Sequence, residues 1–549
     1  MTRMQPIWIT LLCLACAAGL ATAQLRPDQV LVVYDSRVAD SIAVAEHYAG
    51  SANVPGGPSG SAPGARPGVR VVDLASLGRP VLQGSDLPVA TYLSDLRDPL
   101  RGYLESAGLV FDVRCLVLTK GLPHRILDLD DPQALINPDV QRPIGDIPES
   151  QLSERLAGDA SAASVDSELT LLWQDTLDTE LSEPGDSLAD GAIKNPYHTR
   201  LVSINTFSNA NIRAAKSIGS IEGTFFTQGA VGGGLSPSRF TAGDILLVTR
   251  LDGNTVEDVR AMIDRAADIV FDPTRDALIL DESGSEGVQD RDDNDDEFDN
   301  LTLVLGANDD YEATRDALLA DGRFAPGLIR YDPDAGPGSF FVGGEVPVVD
   351  ANPAFVVAEP LVLFASLNEN HGGGVPGGPA TAREIARTFD YRPGAIFNTI
   401  ESFNGRGLNG LATLFNQEQA ADFVGEGGTL AVASVYEPIS DSVPDNEWLV
   451  RNFVLGGMTW AEAAWSSIPA VSWMQIVLGD PLAMARLEVE VVCSPADLAR
   501  RFGVLDELDV REALERFTAG DATADFDASG ALDIFDLILF FELFDAGCG

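Results

Sequence analysis

Val30-Leu-Val-Val-Tyr34, Val110-Phe-Asp-Val-Arg-Cys-Leu-Val-Leu118 and Thr429-Leu-Ala-Val-Ala-Ser-Val435 are short, mostly apolar runs. A strand with one wet face alternates apolar and polar residues, whereas a strand covered on both faces reads as a nearly continuous apolar run. These three therefore read as buried strands. Runs of the same kind fall at 69–74, 201–207, 245–251, 277–280, 361–367 and 395–400, and helix-like amphipathic stretches such as 255–269 and 380–388 lie between them. Strand and helix in alternation predict an α/β domain over residues 24–488, a mostly parallel sheet with helices on both faces. Two polar stretches read as long loop excursions from it. One is 128–191, rich in Asp, Pro and Ser; the other is the acidic run 281–300. The acidic run has the oxygens to bind calcium, but acids without a glycine in ligand register read first as a solvated loop.

The N-terminus sets the expected compartment. Arg3 precedes an apolar run from Ile7 to Leu20 that ends in Ala21-Thr22-Ala23. That is the pattern of a secretory signal peptide over 1–23, cleaved before Gln24. A membrane anchor needs about 20 apolar residues, and this run is shorter and lacks basic stop-transfer residues. Lipid attachment at Cys16 is the lesser alternative. No later stretch is long and apolar enough to span a bilayer, so the expectation is a secreted protein, extracellular or at the cell surface.

Lys and Arg number 36 against 83 Asp and Glu, a net charge of −47. Such a charge repels nucleic acid and anionic lipid alike, which argues against both as partners. Once the signal peptide has left, the cysteines are Cys115, Cys493 and Cys548. Cys115 lies in the 110–118 run and reads as an inert core thiol. Cys493 and Cys548 bracket the C-terminal segment and would be oxidised to a disulfide outside the cell.

Residues 489–549 hold an internal repeat. Gly503-Val-Leu-Asp506-Glu-Leu-Asp509-Val recurs as Gly530-Ala-Leu-Asp533-Ile-Phe-Asp536-Leu, and Glu515-Arg-Phe-Thr-Ala-Gly520 recurs as Glu542-Leu-Phe-Asp-Ala-Gly547. Each copy reads as a loop followed by one short helix. The second loop places oxygens where an EF-hand loop needs them: Asp525 at position 1, Asp527 at 3, Ser529 at 5, the Ala531 carbonyl at 7, Asp533 at 9 and Asp536 at 12. Gly530 at position 6 lets the chain turn sharply enough to aim that carbonyl at the ion. A hard dication takes six to eight oxygens, so the expected cofactor is Ca2+. Helix capping alone accounts for Asp533 and Asp536, but not for Asp525, Asp527 and Gly530 together. The first copy keeps Gly503, Asp506 and Asp509 but has Leu498, Arg500 and Phe502 at positions 1, 3 and 5, with Asp497 one residue out of register. It reads as a remnant that binds no calcium.

The second helix, 533–544, is apolar at nine of twelve positions. One neighbouring helix covers one face only, so a helix apolar all round calls for a further cover, the large domain or a partner. The first helix, 506–517, carries a single stripe of Val510, Ala513, Leu514 and Phe517. The repeat, its Asp at position 12 and its place at the C-terminus resemble a dockerin, and the flanks Cys493-Ser-Pro-Ala-Asp497 and Gly547-Cys548 resemble the variant dockerin-like domains that end in Gly-Cys. The resemblance implies attachment to a cohesin-like receptor or a cell-surface scaffold through the C-terminal helix. The degraded first loop departs from the two-ion pattern of ordinary dockerins.

The large domain resembles an uncharacterised family of secreted bacterial α/β proteins, through Val30-Leu-Val-Val-Tyr-Asp35, Leu116-Val-Leu-Thr-Lys-Gly-Leu-Pro123, Ala163-Ser-Val-Asp-Ser-Glu-Leu169, Thr249-Arg-Leu-Asp-Gly253, Tyr436-Glu-Pro438 and Gly479-Asp-Pro-Leu482. That family brings no activity with it. The layout is also similar to caspase-like peptidases of the gingipain and legumain type, in which a His-Gly follows one strand and a Cys ends the next. Here His371-Gly372 follow the 361–367 strand, and Ser402 stands where the nucleophile would be. A serine needs a base and an oxyanion hole. A scaffold without activity fits the same pattern.

Other chemistry has no motif. His47, His124, His198 and His371 are scattered without zinc-ligand spacing, and no Gly-x-Gly-x-x-Gly, P-loop or Gly-x-Ser-x-Gly is present. Lys120, Gly121 and His124 follow a strand, where α/β sheets place ligands, though loop polarity explains them as well. Two readings result: an anchored, non-catalytic binding protein, which is preferred because no catalytic constellation stands out, and a scaffold-attached hydrolase acting on peptides or polysaccharide.

Overall fold

The computed structural model describes residues 24–55, 62–82, 84–127, 163–174, 193–206, 242–281, 310–332, 340–344, 354–366, 386–401, 403–408, 419–436, 443–489, 492–499 and 503–548. Ten strands among them form one sheet: β1 (Val30–Tyr34), β2 (Arg70–Asp73), β3 (Cys115–Thr119), β4 (Leu247–Leu251), β5 (Ala277–Asp281), β6 (Ile329–Asp332), β7 (Leu361–Ser366), β8 (Tyr391–Phe397), β9 (Leu430–Ser434) and β10 (Gln475–Leu478). The helices used below are α1 (Ala39–Ala49), α2 (Asp98–Ser106), α3 (Val165–Thr170), α4 (Val256–Arg265), α5 (Asp310–Asp321), α6 (Ala420–Gly425), α7 (Trp460–Ser467), α8 (Glu507–Ala519) and α9 (Ile534–Ala546).

The strand order is β6-β5-β7-β8-β9-β10-β4-β3-β1-β2. Every pairing is parallel except β9 with β10, where Ala431 to Ser434 run antiparallel to Leu478 to Gln475. The sheet is therefore two five-stranded parallel halves that meet head to tail. They share a winding: β1 has β2 on one side and β3 then β4 on the other, just as β5 has β6 on one side and β7 then β8 on the other.

All residues of β1, β3, β4, β5, β7, β9 and β10 are buried. Successive strand side chains point to opposite faces, so both faces are covered, as the apolar runs predict. The edge strands β2 and β6 are partly exposed and carry Arg70 and Arg330, charges that discourage edge-to-edge pairing. α4 starts where the sequence places it, with Thr255 and Asp258 closing a capping box.

Several boundaries differ from the sequence reading. Of the 110–118 run only the part from Cys115 on is strand, which continues to Thr119: Asp112 N and Val113 N both donate to Leu109 O, at 3.0 and 3.1 Å, in a turn that leaves Phe111 exposed. The 201–207 run is not a strand in its described part. Leu201 and Val202 are exposed, and Ser203 Oγ and Ile204 N are held by the Glu462 carboxylate at 2.5 and 3.0 Å. The 395–400 run belongs to a strand that starts earlier, at Tyr391, and ends at Phe397. Of 380–388, the described part is the single turn Ala386–Thr388. The excursion 128–191 contains core: α3 is wholly buried, and its Asp166 forms an ion pair with Arg250 of β4 at 2.6 Å. Polar composition suggested solvent there, whereas the polar groups are satisfied by one another. Residues 128–162, 175–191 and 282–300 lie outside the described residues.

The C-terminal segment has its own small apolar cluster, Ala496, Ala513 and Phe540 with Val510, Phe526, Leu543 and Phe544 against it. The disulfide joins Cys493 to Cys548, and Cys115 is a buried free thiol, as expected.

Candidate metal centre

The two repeats begin their helices alike. Asp506 accepts from Leu508 N at 2.7 Å while Asp509 accepts from Asp506 N at 2.8 Å; Asp533 accepts from Phe535 N and Asp536 from Asp533 N, each at 2.8 Å. Both are capping boxes, which satisfy amides that the first helical turn leaves unpaired. Their acids also complement the positive end of the helix dipole.

The second loop adds carboxylates in front of that cap. Asp525 accepts from Ser529 N at 3.0 Å and from Gly530 N at 2.8 Å, and Asp527 accepts from Ser529 N at 2.9 Å. Gly530 has φ +81°, the left-handed conformation that glycine adopts without strain. Ala528, at φ 56°, is a second left-handed residue, which the sequence reading did not anticipate. The fully buried Asp536 accepts from Asp527 N at 3.3 Å, and backbone amides led by that of Asp533 hold its carboxyl below the usual range. Oxygens of Asp525, Asp527 and Asp536 all lie within 4.8 Å of one another.

Of the six expected ligands, these three are gathered. Ser529 Oγ donates to the Ala531 carbonyl at 3.2 Å, which keeps that pair together at the turn, and the Asp533 carboxylate caps the helix. The donor set is oxygen throughout and rich in carboxylate, which fits a hard cation of the calcium type. Asp525, Asp527 and Asp536 would hold it, with the loop carbonyl and water completing its shell.

In the first loop, too, backbone amides meet the acid at position 12. Asp509 accepts from Leu498 N and Ala499 N, both at 2.7 Å, in addition to the cap. Asp497 bridges Cys493 N at 2.9 Å and Gly503 N at 2.6 Å. Arg500 and Phe502 lie outside the described residues.

In the large domain, Lys120 and His124 are buried rather than poised on a loop. Lys120 Nζ donates to Gly253 O at 2.5 Å, Leu408 O at 3.1 Å and Asp252 at 3.3 Å. Arg250 spans Asp166 and the carbonyls of Leu122 and Pro123. His124 Nε2 lies 2.9 Å from the carbonyl of Arg406, an acceptor, so the ring carries its proton there. Burial, reinforced by Arg125 and Arg250, pushes the His124 pKa well down and keeps the ring neutral. Glu168 accepts from Ser472 Oγ, and burial raises its pKa to about 7. Phe403 has φ 59°, an unusual and strained conformation for a bulky residue. The sequence signal for this network was faint, because buried ion pairs have the same composition as loops. His371 and Ser402 lie outside the described residues.

Comparison with models of known protein families, with curated proteins and with solved structures found no match for this chain.

Proposed function

We propose that the protein is secreted and held at a surface or scaffold by a calcium-stabilised, dockerin-like C-terminal module, and that its large α/β domain serves a binding role there without catalysis. The observation that carries the reading is the junction of two features at α9. Asp525, Asp527 and Asp536 converge at its start. Ile534, Phe535, Ile538 and Phe541 on its surface are 43–62% exposed. A soluble protein exposes such a contiguous apolar strip where something docks, and a cohesin-like receptor is the partner that the dockerin resemblance implies. Metal bound at the first turn would order α9 and strengthen docking. No helix among the described residues is long and apolar enough to cross a membrane. The disulfide agrees with an oxidising compartment.

One observation favours the hydrolase reading: the strained Phe403 directly follows Ser402 in sequence, and strain gathers at active sites. An activity screen of secreted protein against peptide and glycan libraries separates the two. No turnover is expected; a reproducible activity that disappears in Ser402→Ala would establish the hydrolase.

A further inference from the structure

The carboxyl ends of the second half-sheet carry a line of oxygen-bearing side chains. Asp332 of β6 pairs in register with Asp281 of β5, and Asp281 with Ser366 of β7. The ladder runs on through Asn398 N to Phe364 O at 3.1 Å and Ile400 N to Ser366 O at 2.9 Å, which sets Thr399 alongside Ser366. Register neighbours point to the same face, and adjacent strands lie about 4.8 Å apart. The four residues are at most 5% exposed.

Position and chemistry single out this line. Open α/β sheets bind ligands at the carboxyl ends of strands where the winding reverses. In this half the reversal lies between β5 and β7, at Asp281 and Ser366. The first half offers a control. At its own reversal, between β1 and β3, the hydroxyl of Thr119 donates to Val33 O at 3.1 Å and pairs with Ser41 Oγ at 2.7 Å. Ser366 Oγ, only 1% exposed, finds no hydrogen-bond partner among the described residues. An unmade hydrogen bond in the interior is costly, and the same strand position is satisfied in one half and left wanting in the other. Thr399 Oγ1 accepts from Asn404 Nδ2 at 3.0 Å and is already used, and Asp281 accepts from Phe341 N at 3.4 Å through Oδ2.

We propose that Asp281, Asp332 and Ser366 bind a hard divalent cation, calcium or magnesium, at a second metal site, separate from the Asp525 loop. Two carboxylates and a hydroxyl are the oxygen ligands such ions select. Coordination through the Ser366 lone pair gives that hydroxyl the partner it lacks. The ion sits above Asp281, with Asp332 and Ser366 reaching it from the strands on either side.

The test uses the full chain carrying Asp525→Ala, stripped with chelator and titrated calorimetrically with Ca2+ and, separately, with Mg2+. One ion per chain should remain, and Asp281→Asn and Ser366→Ala should each weaken it at least about tenfold, a typical loss for a perturbed metal shell. Ser366→Ala removes an unpaired hydroxyl, so without metal this variant should melt no lower than its parent while losing the rise in melting temperature that metal confers. The proposal is overturned if the Asp525→Ala chain binds neither ion, or binds one with an affinity that both variants leave unchanged.

Discussion

The two copies of the C-terminal repeat cap their helices with the same pair of aspartates and differ in what stands before the cap. In the first copy, Asp509 gathers three backbone amides, those of Leu498, Ala499 and Asp506. In the second, Asp525 and Asp527 bring further carboxylates to within 4.8 Å of Asp536. In both copies the aspartate at position 12 is a backbone acceptor, and only in the second do other acids join it. The first copy, with Leu498 where the second has Asp525, thus keeps the same capped helix start, its Asp509 met by peptide N–H groups.

The strongest way to break the comparison is calorimetry on residues 493–549. One calcium ion should bind, Asp525→Ala should abolish binding, and Asp506→Ala should leave the affinity nearly unchanged while costing about 1 kcal/mol of stability as a lost cap. A stoichiometry of two would equate the loops. Next in size is the disulfide, which spans 55 residues. Its reduction should lower the module's stability by about 4 kcal/mol in the chain-entropy model, visible as a lower denaturant midpoint in both copies. A change confined to the second copy would mean that the bridge serves the metal loop alone. Asp509→Ala should cost about 2 kcal/mol or more by stranding backbone donors while sparing calcium affinity. Equal loss of calcium from Asp509→Ala and Asp536→Asn would erase the difference drawn here. The smallest effect concerns acid. Backbone amides lower the Asp536 pKa on folding, so its contribution is present above the unfolded value near 3.9 and lost as pH falls through the lower folded value. Thermal melts of metal-free module should show a fall at acid pH that Asp536→Asn reduces.

Legibility followed the same divide. The gathering of Asp525, Asp527 and Asp536 was readable because these acids, and the left-handed Gly530 among them, are local in sequence, and capping geometry follows from residues two and three apart. The helix bounds came within a residue or two, with Asp506 and Asp533 as caps instead of first helical residues. The apolar surface of α9 was legible too, since nine apolar residues in twelve exceed what one partner helix can cover. In the large domain, continuous apolar runs announced buried strands, but Phe111 and Leu201 show that an apolar residue in such a run can still end on the surface when a turn or a distant carboxylate fixes the backbone.

The amino-acid sequence alone determined the α/β class, the duplicated cap and the three carboxylates of the second loop, which depend on periodicity or on short spacings, and the pairing of Cys493 with Cys548, which follows from their bracketing the C-terminal repeat. Tertiary structure decided that the sheet consists of two parallel halves meeting at β9 and β10, that Asp166 and Arg250 lie buried together 84 residues apart, and that Asp332, Asp281 and Ser366 fall in one row. These depend on which strands become neighbours, and strand order is set by packing free energy summed over the whole domain, a quantity that no local window of sequence contains.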